Sequence, residues 1–217
     1  MHNLIIFGGT FDPIHNGHLN TAINIQQQFQ FERFIFLPCK TPVLKNNAQA
    51  TPEQRLAMLS LAIADKADNY HFEIDNREIK RESPSYMVTT LEDYRRQLGN
   101  DIAITLLVGA DSFLQLPKWH HWQELIKLAH IMVMDRPHSV LTSLQEPLDS
   151  FFNQHVTDLP HELKTRSYGF IYRYNAGSYD ISSTAVREEL RGRRESVSVP
   201  AGVVEYIRRH QLYFPSP

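Results

Sequence analysis

The chain has 217 residues, 42% hydrophobic and 21% charged, with a formal net charge of −2 at pH 7. That length suits one ordinary domain with a substantial core, and the composition is that of a soluble globular protein. The near-neutral charge gives no sign of a global nucleic-acid or membrane-binding surface, so any bound anion must be caught locally. Cys39 is the single cysteine, which excludes an internal disulfide and suits a reducing compartment. No apolar stretch is long enough to span a bilayer, and the N-terminus leads into a strand rather than a signal peptide, so a cytoplasmic location is expected.

Leu4 to Phe7 is a continuous apolar run, expected of a strand buried on both faces. A helix is predicted from near Gly17 to about Phe29, then a strand over Phe34–Leu37 that Pro38 stops. Thr51-Pro52-Glu53-Gln54 reads as a helix start, with Thr51 as N-cap, Pro52 in the first helical position and Gln54 as capping-box partner. An extended segment near Tyr70–Ile74 follows, then a helix from Ser83-Pro84-Ser85 to about Leu98, ended by Gly99-Asn100.

Ile102–Val108 is a strand leading to Gly109-Ala110-Asp111-Ser112. Trp119–Ala129 is predicted helical, and Ile131–Met134 is a further strand before Arg136-Pro137. Order is weakest from His138 to about Arg166, where Pro147 and Pro160 interrupt short helical patterns. Strand character returns at Phe170–Tyr174, a helix opens at Ile181-Ser182-Ser183-Thr184 and runs through Leu190, and Pro200 starts the last helix, to about His210. Strands alternating with helices predict an α/β fold: a doubly wound, Rossmann-like, mainly parallel sheet with helices on both faces. The expectation is a single domain over 1–217 with a less regular insertion at about 138–166.

The stretch GGTFDPIHNGH, Gly8 to His18, follows the first strand directly. Glycines there let an anion approach backbone N–H groups, and phosphate is the usual occupant of such a turn before a helix N-terminus. Two glycines alone suit a tight connection equally well. His15 and His18, spaced i to i+3 at the helix start, can both face one site, with Gly17 leaving room between them. Cationic imidazole is disfavoured at a helix N-terminus unless an anion sits there too. The G-x-x-x-x-G-K-[ST] and G-x-G-x-x-G patterns are absent from this turn, which argues against a P-loop and a dinucleotide fingerprint. A histidine pair could in principle hold zinc, but no H-E-x-x-H form accompanies it, and no metal site of protein ligands is expected.

The stretch resembles the T/H-x-G-H nucleotidyltransferase superfamily, and its G-G-T-F-D-P-x-H-x-G-H form is similar to that of nicotinate-nucleotide adenylyltransferases. The resemblance continues through Pro42–Lys45, Arg81–Tyr86, Gly109–Ser112, Pro117–Trp119 and Ile181–Arg187, in family order over nearly the whole chain. It implies transfer of AMP from ATP to nicotinate mononucleotide, giving deamido-NAD and pyrophosphate in NAD biosynthesis. The nearest rival, phosphopantetheine adenylyltransferase, shares the fold but typically carries Thr-x-Gly-His where this chain has His15-Asn16-Gly17-His18.

By that resemblance, His15, His18 and Arg187 are the catalytic residues, with His18 foremost in transition-state stabilisation. Gly8, Gly9, Thr10, Phe11, Lys45, Gly109, Asp111, Ser112, Ile181, Ser182, Ser183 and Thr184 bind ATP. Ser85, Met87, Trp119, His120 and Arg136 bind the second substrate, Trp119 as stacking platform for the pyridine ring. The family often has threonine at Met87 and tyrosine at His120, so recognition of the pyridine carboxylate falls to backbone N–H groups there. Magnesium is implied as an ion bridging ATP phosphates. ATP and nicotinate mononucleotide are the expected partners, without nucleic acid or membrane, and a homo-oligomer is compatible with the sequence.

Overall fold

The computed structural model describes residues 1–42, 48–64, 66, 69–135, 144–175, 181–192 and 198–214. The strands are β1 (Asn3–Gly9), β2 (Arg33–Pro38), β3 (Phe72–Ile74), β4 (Ala103–Gly109), β5 (His130–Asp135), β6 (Val156–Thr157) and β7 (Ile171–Asn175). The helices are α1 (Asn16–Phe29), α2 (Pro52–Ala64), α3 (Arg77–Lys80), α4 (Met87–Leu98), α5 (Ala110–Leu114), α6 (Leu148–His155), α7 (Glu162–Thr165), α8 (Ser183–Arg191) and α9 (Ala201–Arg209).

Among the described residues the strands form one seven-stranded parallel sheet, in the order β3-β2-β1-β4-β5-β7-β6, with helices around it. Asn3 lies beside Ala103, Thr105 beside His130 and Ile131 beside Ile171. The order reverses at β1, the mark of a doubly wound sheet. Gly8-Gly9 end β1 and Gly109 ends β4, at carboxyl ends of strands, where such sheets take their ligands.

The chain forms two compact units. The first comprises residues 1–8, 29–35 and 85–178. Its core is the buried run Leu4-Ile5-Ile6 with Leu106, Leu107, Ile131, Met132 and Ile171. Arg95 of α4 donates to the carbonyls of Leu128, Ile102 and Ser167, each at 2.8 Å, and so ties three chain connections together. The second unit comprises 9–28, 36–84 and 179–217. Here α9 packs on α2, and the reciprocal capping box is present: Thr51 N–H donates to Gln54 Oε1 at 2.9 Å and Gln54 N–H to Thr51 Oγ1 at 3.3 Å.

The stretch over Trp119–Ala129 departs from the sequence expectation. Instead of a helix there are 3-10 turns at Leu116–Lys118 and Trp122–Lys127. His121, in the left-handed region at φ 48°, separates them and interrupts any continuous α-helix. Within 144–166, Pro147 caps α6, and two-residue β6 pairs with β7 at the sheet edge, too short for a periodic signal.

His130 is fully buried, with Nε2 2.7 Å from the Arg166 carbonyl and Nδ1 accepting the Phe170 N–H at 3.2 Å. Nε2 therefore carries the proton of a neutral ring. Burial pushes its pKa down to about 4 from 6.5, outweighing the Arg166 carbonyl, which raises it. The unfolded chain takes up this proton near pH 6.5 and the folded chain only near 4. His130 thus favours folding fully above pH 6.5, and up to about 3 kcal/mol is lost as pH falls from 6.5 towards 4. Urea midpoints for the wild type and His130→Gln between pH 7 and 4.5 are expected to converge on acidification; parallel curves would show that His130 does not drive the slope.

Candidate active site

The second unit builds the turn that follows β1. Arg55 of α2 is fully buried and donates through Nη1 to the carbonyls of Thr10 at 2.7 Å and Cys39 at 2.8 Å, and through Nη2 to that of Lys40 at 2.7 Å. Arg187 of α8 donates to the Asp12 carbonyl at 2.6 Å, and Ser183 Oγ donates to the Pro13 carbonyl at 3.1 Å. The carbonyls of Thr10, Asp12 and Pro13 are thereby held by donors from two helices. Cys39 Sγ lies 3.8 Å from Thr10 Oγ1, and burial raises its thiol pKa, so this thiol is not primed as a nucleophile.

Both histidines stand where the turn enters α1. His15 is buried, at 3% exposure. The two imidazoles stack at 3.7 Å with an interplanar angle of 29°, and Phe11 meets the His18 ring edge-on at 5.2 Å. The His15 N–H donates to His18 Nδ1 at 3.3 Å. An occupied Nδ1 lone pair leaves Nε2 to carry the proton of neutral His18, so this ring can offer an N–H to an anion.

The glycines are explained by these rings. A Cβ on Gly17 would lie 3.0 Å from His15 Nδ1 and 3.3 Å from Ile181 Cβ, and one on Gly9 would lie 2.8 Å from Phe11 Cζ. Gly17 thus lets Ile181-Ser182-Ser183-Thr184 close onto the histidine pair. Ser182 caps α8, its Oγ accepting the Ala185 N–H at 3.1 Å, while its own O–H remains a donor. Arg187 Nη2 donates to Thr184 Oγ1 at 3.2 Å, which lays the guanidinium along the first turn of α8. Helix N-terminus, hydroxyls, forked cation and imidazole N–H are donors of the kind a polyphosphate takes.

The first unit holds a different cluster. Tyr86 is the N-cap of α4, and its ring stacks on His120 at 4.4 Å and 29°. His120 meets His121 at 4.0 Å. Met87 Cε would lie 3.1 Å from a Cβ on Gly8. Gly109 caps five-residue α5, which carries Asp111 and Ser112; Asp111 is exposed and Trp119 half-buried. The stacked aromatic faces suit a heteroaromatic ring, and an exposed carboxylate such as that of Asp111 suits a sugar hydroxyl rather than a polyanion.

The sequence family described as cytidylyltransferase-like matches residues 6–189. A Legionella pneumophila (strain Paris) protein named "probable nicotinate-nucleotide adenylyltransferase" is 42% identical over 98% of this chain and 100% of its own. A Marinomonas protein of the same name is 40% identical over 97% and 94%. The chain belongs to the nicotinate-nucleotide adenylyltransferase family. Its fold is also that of the Plasmodium falciparum nicotinic acid mononucleotide adenylyltransferase solved with NaAD, at a TM-score of 0.68 and 15% identity, covering 98% of both chains.

For this family member, the sequence-predicted residues divide cleanly. Gly9, Thr10, Phe11, His15, His18, Ile181, Ser182, Ser183, Thr184 and Arg187 belong to the second unit. Gly8, Ser85, Met87, Gly109, Asp111, Ser112, Trp119 and His120 belong to the first. Lys45 and Arg136 lie outside the described residues. Motif reading overlooked Arg55, Tyr86, Tyr213 and the carboxylate of Asp12. Asp12 stands inside GGTFDPIHNGH with nothing local to show what its carboxylate meets, and a lone arginine in a helix ordinarily signals a solvated face. Tyr86 stood inside a recognised block and could have been found as an aromatic at a helix start.

Proposed function

We infer that the chain transfers the AMP part of ATP to nicotinate mononucleotide, forming deamido-NAD and pyrophosphate. The observation that carries this is the joining of residues 9–18 of GGTFDPIHNGH to ISSTAVR within one unit, through Ser183 to Pro13, Arg187 to Asp12 and Gly17 against Ile181. The pyridine substrate comes from the relatives' names and from the aromatic cluster around Tyr86 and His120.

The nucleophile is a phosphate oxygen, already largely ionised because its second pKa is about 6. It forms a bond to the α-phosphorus as the α–β phosphoanhydride breaks, and the electron pair leaves on pyrophosphate. No base is needed; the work is alignment and charge stabilisation. His18 Nε2–H donates to phosphate oxygens at the reacting centre, and His15 holds its ring by stacking. Ser182, Thr184 and the N-terminus of α8 bind the polyphosphate with Arg187, and Lys45 adds a cation. The Ser183 O–H is spent on Pro13, so Ser183 serves as a tether with its backbone N–H towards the phosphates.

Gly109, Asp111 and Ser112 receive the adenosine ribose. Trp119 stacks the pyridine, the N–H groups of Met87 and His120 meet its carboxylate, and Ser85 and Arg136 bind the same substrate. Magnesium bound to ATP would neutralise charge between its phosphates. Hydroxyls and an imidazole N–H fit such a complex as donors to phosphate oxygens. Among the described residues no three His, Cys, Asp or Glu side chains gather as ligands. No helix among them is long and apolar enough to cross a membrane, and we place the reaction in the cytoplasm with mononucleotides, not nucleic acid, as partners.

Pyrophosphate release from ATP is expected only when a pyridine mononucleotide is added, and faster with nicotinate than with nicotinamide mononucleotide. Equal or better turnover with phosphopantetheine would overturn the assignment.

A further inference from the structure

Three separated stretches of the second unit converge on Asp12, which is 5% exposed. Its Oδ2 accepts the Gln49 N–H at 2.8 Å, and its Oδ1 accepts the Ala50 N–H at 3.1 Å and the Tyr213 hydroxyl at 2.7 Å. Arg187 Nη1 donates to the Asp12 carbonyl yet stands 3.8 Å from Oδ2. That gap is longer than the roughly 2.7–2.9 Å of a close charge-assisted hydrogen bond. A buried carboxylate next to a guanidinium would ordinarily close on it. Here other donors hold the carboxylate, and the guanidinium reaches Thr184 instead.

Tyr213 is placed for this purpose at some conformational cost. Its backbone lies in the left-handed region at φ 66°, and that of Phe11, next to Asp12, at φ 49°. Bulky residues remain there only where the surroundings hold them. Packing alone would be met by phenylalanine; the hydroxyl goes to Asp12. Burial first, then the Asp12 charge, raises the phenol above its ordinary range, so it stays a proton donor.

We propose that Tyr213 is a positioning residue for the phosphate site: by occupying Asp12 Oδ1 it keeps the carboxylate from closing on Arg187, so that the guanidinium stays along α8 with its charge available to the polyphosphate. This rests on the adenylyl-transfer reading. Without the hydroxyl, Oδ1 keeps only the Ala50 N–H, and Asp12 can draw closer to Arg187 than the 3.8 Å at which they already pair, taking up more of its charge.

The test is a cycle of Tyr213→Phe, Arg187→Gln and the double variant. Tyr213→Phe should lower kcat for pyrophosphate release about tenfold with the KM for nicotinate mononucleotide within about twofold, the scale of one hydrogen bond to a charged group. In the Arg187→Gln background the same change should have little further effect. An unchanged kcat, or the same fold loss in both backgrounds, overturns the proposal. Calorimetric binding of α,β-methylene-ATP to the same four proteins separates the two inferences. If the wild type releases no pyrophosphate, adenylyl transfer fails. Binding weakened by Tyr213→Phe only when Arg187 is present would still support the positioning role, and binding unaffected by it would remove that role.

Discussion

His18→Ala is expected to lower turnover about 10²–10³-fold, the loss seen when one preorganised donor to a transition-state charge is removed. His18 Nδ1 is engaged by the His15 N–H, and its ring is held between His15 and the edge of Phe11. The donor therefore needs no reorientation when charge develops on the phosphates. His18→Phe separates this role from packing, because a phenyl ring can keep the stacking but offers no N–H. Steady-state pyrophosphate release should collapse in both variants, while thermal melting of His18→Phe stays close to wild type. Near-normal turnover by folded His18→Phe would remove His18 from the chemistry.

Arg55→Met should be the most destabilising single change at the site. The methionine fills the apolar path of the stem but leaves the carbonyls of Thr10, Cys39 and Lys40 without their donor. Each buried acceptor left dry costs about 1–3 kcal/mol. Water entry relieves part of that, so a total of about 3–5 kcal/mol is expected, a large share of the roughly 5–15 kcal/mol that holds a folded chain. At about 2–4 °C per kcal/mol for a chain of this size, melting should fall by about 10 °C. Arg55→Lys should lie between, since one ammonium cannot reproduce the fork. Melting of Arg55→Met within about 2 °C of wild type would show that the carbonyls find other donors. Because Thr10 opens the turn to which we assign phosphate binding, folded Arg55→Met should also bind ATP more weakly.

Much of the molecule was legible before its structure. The apolar runs at Leu4–Phe7, Phe34–Leu37 and Ile131–Met134 lie within strands, and Ile102–Val108 does so from Ala103 on, because a strand buried on both faces tolerates little but apolar side chains. The Thr51–Gln54 capping box was readable because both its partners lie within one turn. Trp119–Ala129 was not, because Leu125 and Ile126 are buried in a 3-10 turn as readily as in a helix, and apolar spacing does not report a left-handed residue such as His121. Edge strand β6 has two residues and no period to read.

The site divides along the same line. Residue types and local order alone determined that a strand ends in a glycine turn, that two histidines open the next helix, and that a serine-threonine start with an arginine one turn later recurs near the end of the chain. Those are short-range properties, set by backbone freedom, capping and helical spacing. Only the tertiary structure decided what holds them. Arg55 reaches Thr10 across 45 positions, Arg187 reaches Asp12 across 175 and Tyr213 reaches the same residue across 201. A buried polar group must find its partner somewhere, but nothing local says where, because the chain entropy of closing a long loop grows only slowly with its length. The residues that could meet a phosphate are therefore written in GGTFDPIHNGH and ISSTAVR, while the ones that hold that turn rigid are chosen by the fold.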